Sequence, residues 1–161
     1  MDILTKIKID HFHIESLLQQ IITEVKAGNR TNILLQDLLE EVKEHLQAER
    51  VCLAEMFLEE EKQAHHAVCQ NDKETIFKLL SDKLYQEMDK ISGNVDKISG
   101  NKDLEDKLKM LEILLQEHSS TIEKAILLLS QECINDQQSE ELSLKFEQEK
   151  LKTLMSSITY A

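Results

Sequence analysis

The chain contains no proline and only three glycines. These are the two strong helix breakers, costing about 3 and about 1 kcal/mol in a helix interior. A chain so short of them reads as long helices joined by few turns. The hydrophobic period agrees. Leu4, Ile7, His11, Ile14, Leu18, Ile21 and Val25 alternate steps of three and four, which places them on one helix face. The stripe stops at Gly28-Asn29, a helix-end signal with a residue suited to positive φ. A second stripe runs Leu35, Leu38, Val42, His45, Glu49, Cys52, Met56. A third carries His66, Cys69, Ile76, Leu80, Leu84 and Ile91, and a fourth Leu104, Leu108, Leu111, Leu115, His118, Ile122, Ala125 and Leu129. A last amphipathic segment, about residues 138–158, reads as a short helix packed on the outside. The expected fold is all-α: an up-down-up-down antiparallel four-helix bundle with an additional short C-terminal helix. It is expected as one domain over residues 1–161, its core at about 3–130.

Two connections are less plain. Between the second and third stripes the polar run Glu59-Glu60-Glu61-Lys62-Gln63 is the favoured turn, with Asn71-Asp72 as the alternative because it can cap a helix. Further on, Asp89 to Asn101 reads DKISGN-V-DKISGN, two copies of a Ser-Gly-Asn turn signal. The expectation is a surface turn centred near Ser92 in the first copy. The second copy would then open the fourth helix, with Gly100 in its early turns.

Charge and hydropathy narrow the function. Thirty-one Asp and Glu outnumber nineteen Lys and Arg, a formal charge of −12. Such a surface repels phosphate, which disfavours a nucleic-acid or anionic-membrane partner. No apolar run approaches the roughly 18 residues that cross a bilayer. The opening MDILTKIKIDHF lacks a signal-peptide layout. Cys52, Cys69 and Cys133 are odd in number and form no CxxC pair, so neither a disulfide frame nor a zinc knuckle is indicated. The expectation is a soluble cytoplasmic protein.

The informative residues are the polar ones on apolar stripes. His11, His45, Glu49 and His118 occupy positions otherwise filled by Leu, Ile, Val and Cys. A buried carboxylate is costly unless paired, neutralised or bound to a cation. With the first turn centred between Asn29 and Arg30, His11 lies 18.5 residues before it, and His45 and Glu49 lie 15.5 and 19.5 after it. In an antiparallel pair His11 is then level with the gap between His45 and Glu49, which share a face at i and i+4. On the third helix, back-projection from Ile91 favours His66, with His65 as the fallback. A turn near Ser92 brings His118 to the same depth. His13, two residues from His11, points away from the stripe and is expected at the surface. Cys52 and Met56 read as core filler, and Glu59-Glu60-Glu61 and Glu140-Glu141 as solvated faces.

These residues resemble the hemerythrin-like, or HHE cation-binding, family. Asp10-His11-Phe12-His13-Ile14 is similar to its DHxxI opening, His45-Leu46-Gln47-Ala48-Glu49 to HxxxE, and His66 or His65 to the third-helix histidine. His118-Ser119-Ser120-Thr121-Ile122-Glu123 is similar to HxxxxD, with Glu for Asp. The resemblance covers about residues 3–130. It implies two non-haem iron ions, Fe2+ or Fe3+, oxo- or hydroxo-bridged and spanned by Glu49 and Glu123. His11 and His45 would bind on one side, and His66 (or His65) and His118 on the other. Imidazole and bridging carboxylate suit iron.

Two departures qualify the likeness. Oxygen-carrying members place HxxxH on the third helix, whereas here Cys69 follows His65 and Gln70 follows His66. One imidazole fewer leaves a further open position, which favours sensing, oxidation chemistry or handling of a small diatomic over simple carriage. Glu123, five residues from His118, also sits about 140° around an ideal helix from it, so Glu117 and Glu15 stand as substitutes. The resemblance thus implies a binding or sensing protein for O2 or NO, or an iron-handling one, rather than a dedicated enzyme. A sensor would need a separate signalling or electron-transfer protein. Ferritin-like Glu-x-x-His is absent, since Val42, Lys62, Gln63 and Leu115 precede the four histidines, and so is HExxH. The alternative is a metal-free or zinc-binding helical interaction module with structural core histidines.

Overall fold

The computed structural model describes the backbone of residues 1–64, 68–94 and 101–159, and their side chains except those of 64, 68–74, 76, 93, 94, 101 and 157–159. The described residues are helical and contain no strand: α1 Ile3–Lys26, α2 Asn32–Ala64, α3 Val68–Asn94, α4 Asn101–Glu132 and α5 Asp136–Thr159. Local chemistry accounts for several ends. Asp2 caps α1 by accepting from Thr5 N at 2.8 Å. After Lys26 the chain turns through Gly28 at φ 78°, a value glycine adopts without a Cβ clash. Before α5, Asn135 Oδ1 accepts from Gln138 N and Gln138 Oε1 accepts from Asn135 N, a reciprocal cap.

Both inner turns differ from expectation. The run 59–63 is helical and lies inside α2, and Asn71-Asp72 lies inside α3. Glu, Lys and Gln lose little rotamer freedom in a helix, so polarity alone does not end one. The first Ser-Gly-Asn copy likewise closes α3 at Asn94 instead of forming a turn centred on Ser92. Residues 95–100, which include Gly100, lie outside the described set, and α4 starts at the last residue of the second copy.

The buried side chains form two apolar clusters. One joins Ile14 to Val25 of α1, Leu35 to Leu46 of α2, Leu84, Met88 and Ile91 of α3, and Leu108 to Leu115 of α4. The other joins Ile3 and Ile7 of α1, Ala48 to Phe57 of α2, Ile122 to Leu129 of α4, and Leu142 and Phe146 of α5. The core of α4 follows its stripe from Leu108 to Ile122 and at Leu129, whereas Leu104 is half-buried and Ile126, not Ala125, is fully buried. Cys52 and Met56 are fully buried core residues, and burial pushes the Cys52 thiol up to about 12.

The C-terminal helix is neither short nor peripheral. At 24 residues α5 equals α1, and its contact with α2 is among the most extensive in the molecule. Phe146 is fully buried, and Ile3 N donates to Ser139 Oγ at 2.9 Å. Opposed registers show how the helices run. Gln19 pairs with Glu112 while His11 faces Glu123, so α1 and α4 are antiparallel. Glu55 pairs with Lys145 and Glu41 with Lys150, so α2 and α5 are antiparallel. Among the described residues no helix is long and apolar enough to cross a membrane.

Candidate metal centre

Between the two apolar clusters lies a polar layer. On α1, Ile7 belongs to one cluster and Ile14 to the other, with His11 between them. His45 and Glu49 interrupt α2 in the same way, and His118 interrupts α4 between Leu115 and Ile122. All four are buried, Glu49 to 0% and His118 to 1% exposure. One donor atom from each lies within 4.8 Å of all the others, a group that could hold a metal ion.

Glu49 is the hub. Its Oε2 accepts from His45 Nε2 at 2.7 Å and from His11 Nε2 at 3.1 Å, and its Oε1 accepts from His118 Nε2 at 2.6 Å. These spacings are close to the roughly 3 Å that separates neighbouring donors around a first-row cation bound at about 2.1 Å. Burial disfavours the Glu49 carboxylate, but the facing His118 and His45 rings and their hydrogen bonds outweigh it and hold its pKa well below the ordinary range.

The outer contacts of the rings differ. His45 Nδ1 donates to Asp10 Oδ2 at 2.6 Å, and Asp10 Oδ1 accepts from Lys150 at 2.7 Å. Carboxylates on both ring nitrogens require both protons, so without a cation His45 is imidazolium. Burial opposes that charge, yet Glu49 and Asp10 together raise its pKa to about 9. Asp10, penalised by burial but bonded to His45 and Lys150, is held at about 2. With Nε2 turned to the group, His45 could hold a cation there in place of that proton, its tautomer fixed by Asp10 at Nδ1. By contrast, Nδ1 of His11 and Nδ1 of His118 are buried without a hydrogen-bond partner. Their rings therefore owe their orientation to Glu49 and to packing. Phe77 of α3 lies 6.0 Å from the His118 ring, and Phe146 of α5 lies 5.6 Å from that of His45.

Glu123 is not brought into the group. Its carboxylate lies 3.8 Å from His11 Nδ1, the ring nitrogen opposite the one that meets Glu49, and it remains 26% exposed. This is the consequence of the five-residue step from His118, which turns it out of the layer. With Ser119 and Glu15 it lines a groove between α1 and α4, while Glu117 is exposed. His65 and His66 lie outside the described residues. His13 is exposed, as are Glu140 and Glu141. Three participants escape a reading of stripes alone: Asp10, Phe146 and Lys150. Asp10 carried a signal, standing beside His11 in the DHxxI segment. Lys150 carried one too, being a charge placed four residues after Phe146 on the buried side of α5.

Comparison of the chain with protein-family models, with curated proteins and with solved structures finds no match in any of the three.

Proposed function

We propose that the chain is a hemerythrin-like, non-haem iron-binding protein that binds or senses O2 or NO, with α1–α4 as an alternating four-helix bundle around the centre. The observation that carries this reading is the division of Glu49. One oxygen faces His11 and His45, the other faces His118. A carboxylate with different imidazoles on its two oxygens is arranged as a bridge between two cations, the role the resemblance gives to Glu49. A dry layer holding one carboxylate against three imidazoles is also the setting in which a cation offsets the cost of burial.

In this reading His11 and His45 hold one iron and His118 the other, with Glu49 between them, and His66 or His65 adds to the His118 side; Glu123, turned toward Nδ1 of His11, stands outside this set. Bound iron would supply one-electron redox chemistry and open coordination positions for a diatomic. The chain supplies the rest. Asp10 holds His45 in the tautomer that leaves Nε2 to the metal. The apolar clusters on either side exclude water. The buried free thiol of Cys52 fits a reducing cytoplasm.

The test is anaerobic reconstitution with ferrous ion, elemental analysis, then optical titration with O2 and with NO. Two irons per chain and a spectral change with either gas are the expected result. One iron per chain removes the bridge, and no uptake overturns the reading. A second reading rests on the donor count: three imidazoles and one carboxylate are the four ligands of a closed zinc site. Zinc in the protein as purified, with no iron uptake, selects it, and makes the layer a structural clasp in an interaction module.

A further inference from the structure

The fifth helix does more than cover α2. Its buried side repeats every three to four residues through Leu142, Phe146 and Lys150. Lysine is rarely this enclosed without a reason, yet the Lys150 side chain is only 14% exposed. It serves two carboxylates on two other helices, Asp10 Oδ1 at 2.7 Å and Glu41 Oε1 at 3.0 Å. The second oxygen of Asp10 accepts from His45 Nδ1 at 2.6 Å. Three bonds thus connect α5, α1 and α2 and end on an imidazole whose other nitrogen meets Glu49 at 2.7 Å.

We propose that Lys150 is a positioning residue of the metal centre: by holding the Asp10 carboxylate against Nδ1 of His45, it keeps Nε2 turned to the metal position and makes α5 part of the site. The inference rests on the metal reading above and adds a residue that the resemblance, which ends near residue 130, does not reach.

Geometry gives the reason. The carboxylates of Asp10 and Glu41 both lie within 3.0 Å of one ammonium. Without that ammonium two like charges face each other, and Asp10 relaxes by turning away from His45. The ring then loses the partner that selects its tautomer; its packing against His11 at 4.7 Å and Phe146 at 5.6 Å does not choose which nitrogen carries the proton. Lys145 supplies the contrast. It pairs with Glu55 across the same α2–α5 contact and touches no residue of the centre. A lysine that merely docks the helix behaves like Lys145, whereas a positioning lysine does not.

The test uses the full chain and Co2+ alone as the probe, with the dissociation constant and the visible ligand-field bands as readouts. In Lys150→Met, affinity falls ten- to a hundredfold, the range for losing an outer partner of a ligand, and the bands shift. Lys150→Arg, able to bridge two carboxylates, keeps the bands and most of the affinity. Lys145→Met binds as wild type. If Lys150→Met fails to fold, Asp10→Asn breaks the same chain one bond later and gives the same weakening and shift. Wild-type affinity and bands in the folded variant overturn the proposal, as does an equal loss in Lys145→Met. A wild-type chain that takes up no Co2+ fails the metal reading and this proposal together. Wild-type uptake with an unaltered variant fails this proposal alone.

Discussion

The two apolar clusters on either side of the histidine layer are built from different helices. One is made by α1, α2, α3 and α4. In the other, among the described residues, α5 joins α1, α2 and α4, and α3 adds the half-buried Phe77. The layer lies between the two clusters. Its ligand-type residues come from the three helices that run through both clusters, α1, α2 and α4. α3 and α5 contribute one aromatic wall each, Phe77 beside His118 and Phe146 beside His45. Helices that continue through the layer have their backbone clamped by apolar packing above and below it, which suits them to hold rings at a set depth. Phe77 of α3 and Phe146 of α5 close two of its sides.

The largest expected effect separates the two ends. Phe146→Ala removes a fully buried aromatic and costs about 3–5 kcal/mol. Because that ring packs on His45, it also weakens Co2+ binding. Leu84→Ala in the other cluster costs about 2–5 kcal/mol and leaves the affinity of the folded protein unchanged. Denaturant unfolding with a Co2+ titration of each variant measures both. Equal losses of affinity would dissolve the distinction between the ends.

Next comes the hub itself. Glu49→Ala leaves three imidazoles without their shared acceptor, and metal affinity drops by more than about a hundredfold, beyond the effect of an outer partner. The rise in melting temperature on adding metal disappears with it. A variant that still melts higher with metal would move the site elsewhere.

Acidity probes the layer without mutation. In the metal-free protein the His45 pKa is about 9, above the ordinary 6.5, so folding binds its proton more tightly. That contribution is complete below pH 6.5 and is lost as the pH rises through 9, up to about 3 kcal/mol. Urea unfolding at a series of pH values is expected to show this alkaline decline, and loading with metal to abolish it, since the metal replaces the proton. The smallest effect belongs to His13→Ala. This exposed residue lies outside both clusters and the layer, and its loss changes stability by less than about 0.5 kcal/mol and metal affinity not at all.

Much of the layer was legible in advance. His11, His45, Glu49 and His118 announce themselves because each breaks an apolar stripe, and counting residues from Gly28-Asn29 sets α1 against α2 to within a turn. Glu123 could not be placed so simply. Its motif position asks it to join His118, while the helix turns it toward the opposite nitrogen of His11. The inner turns were misplaced because Glu59 to Gln63 and Ser92 to Asn94 carry turn-like composition yet continue helices whose earlier turns are packed in the core. Propensity differences of tenths of a kcal/mol per residue yield to that packing.

The sequence by itself determined that the described chain is helical and which side of α1, α2 and α4 is buried, because the 3.6-residue repeat is local and every residue on a stripe votes for it. Only the tertiary structure decided that α5 packs into one half of the core, that Asp10 and Lys150 stand behind His45, and that Glu123 stays outside the group. Those facts depend on contacts between residues up to 140 positions apart. Such contacts are set by which helices meet and at what register, and no periodicity within a single helix encodes that.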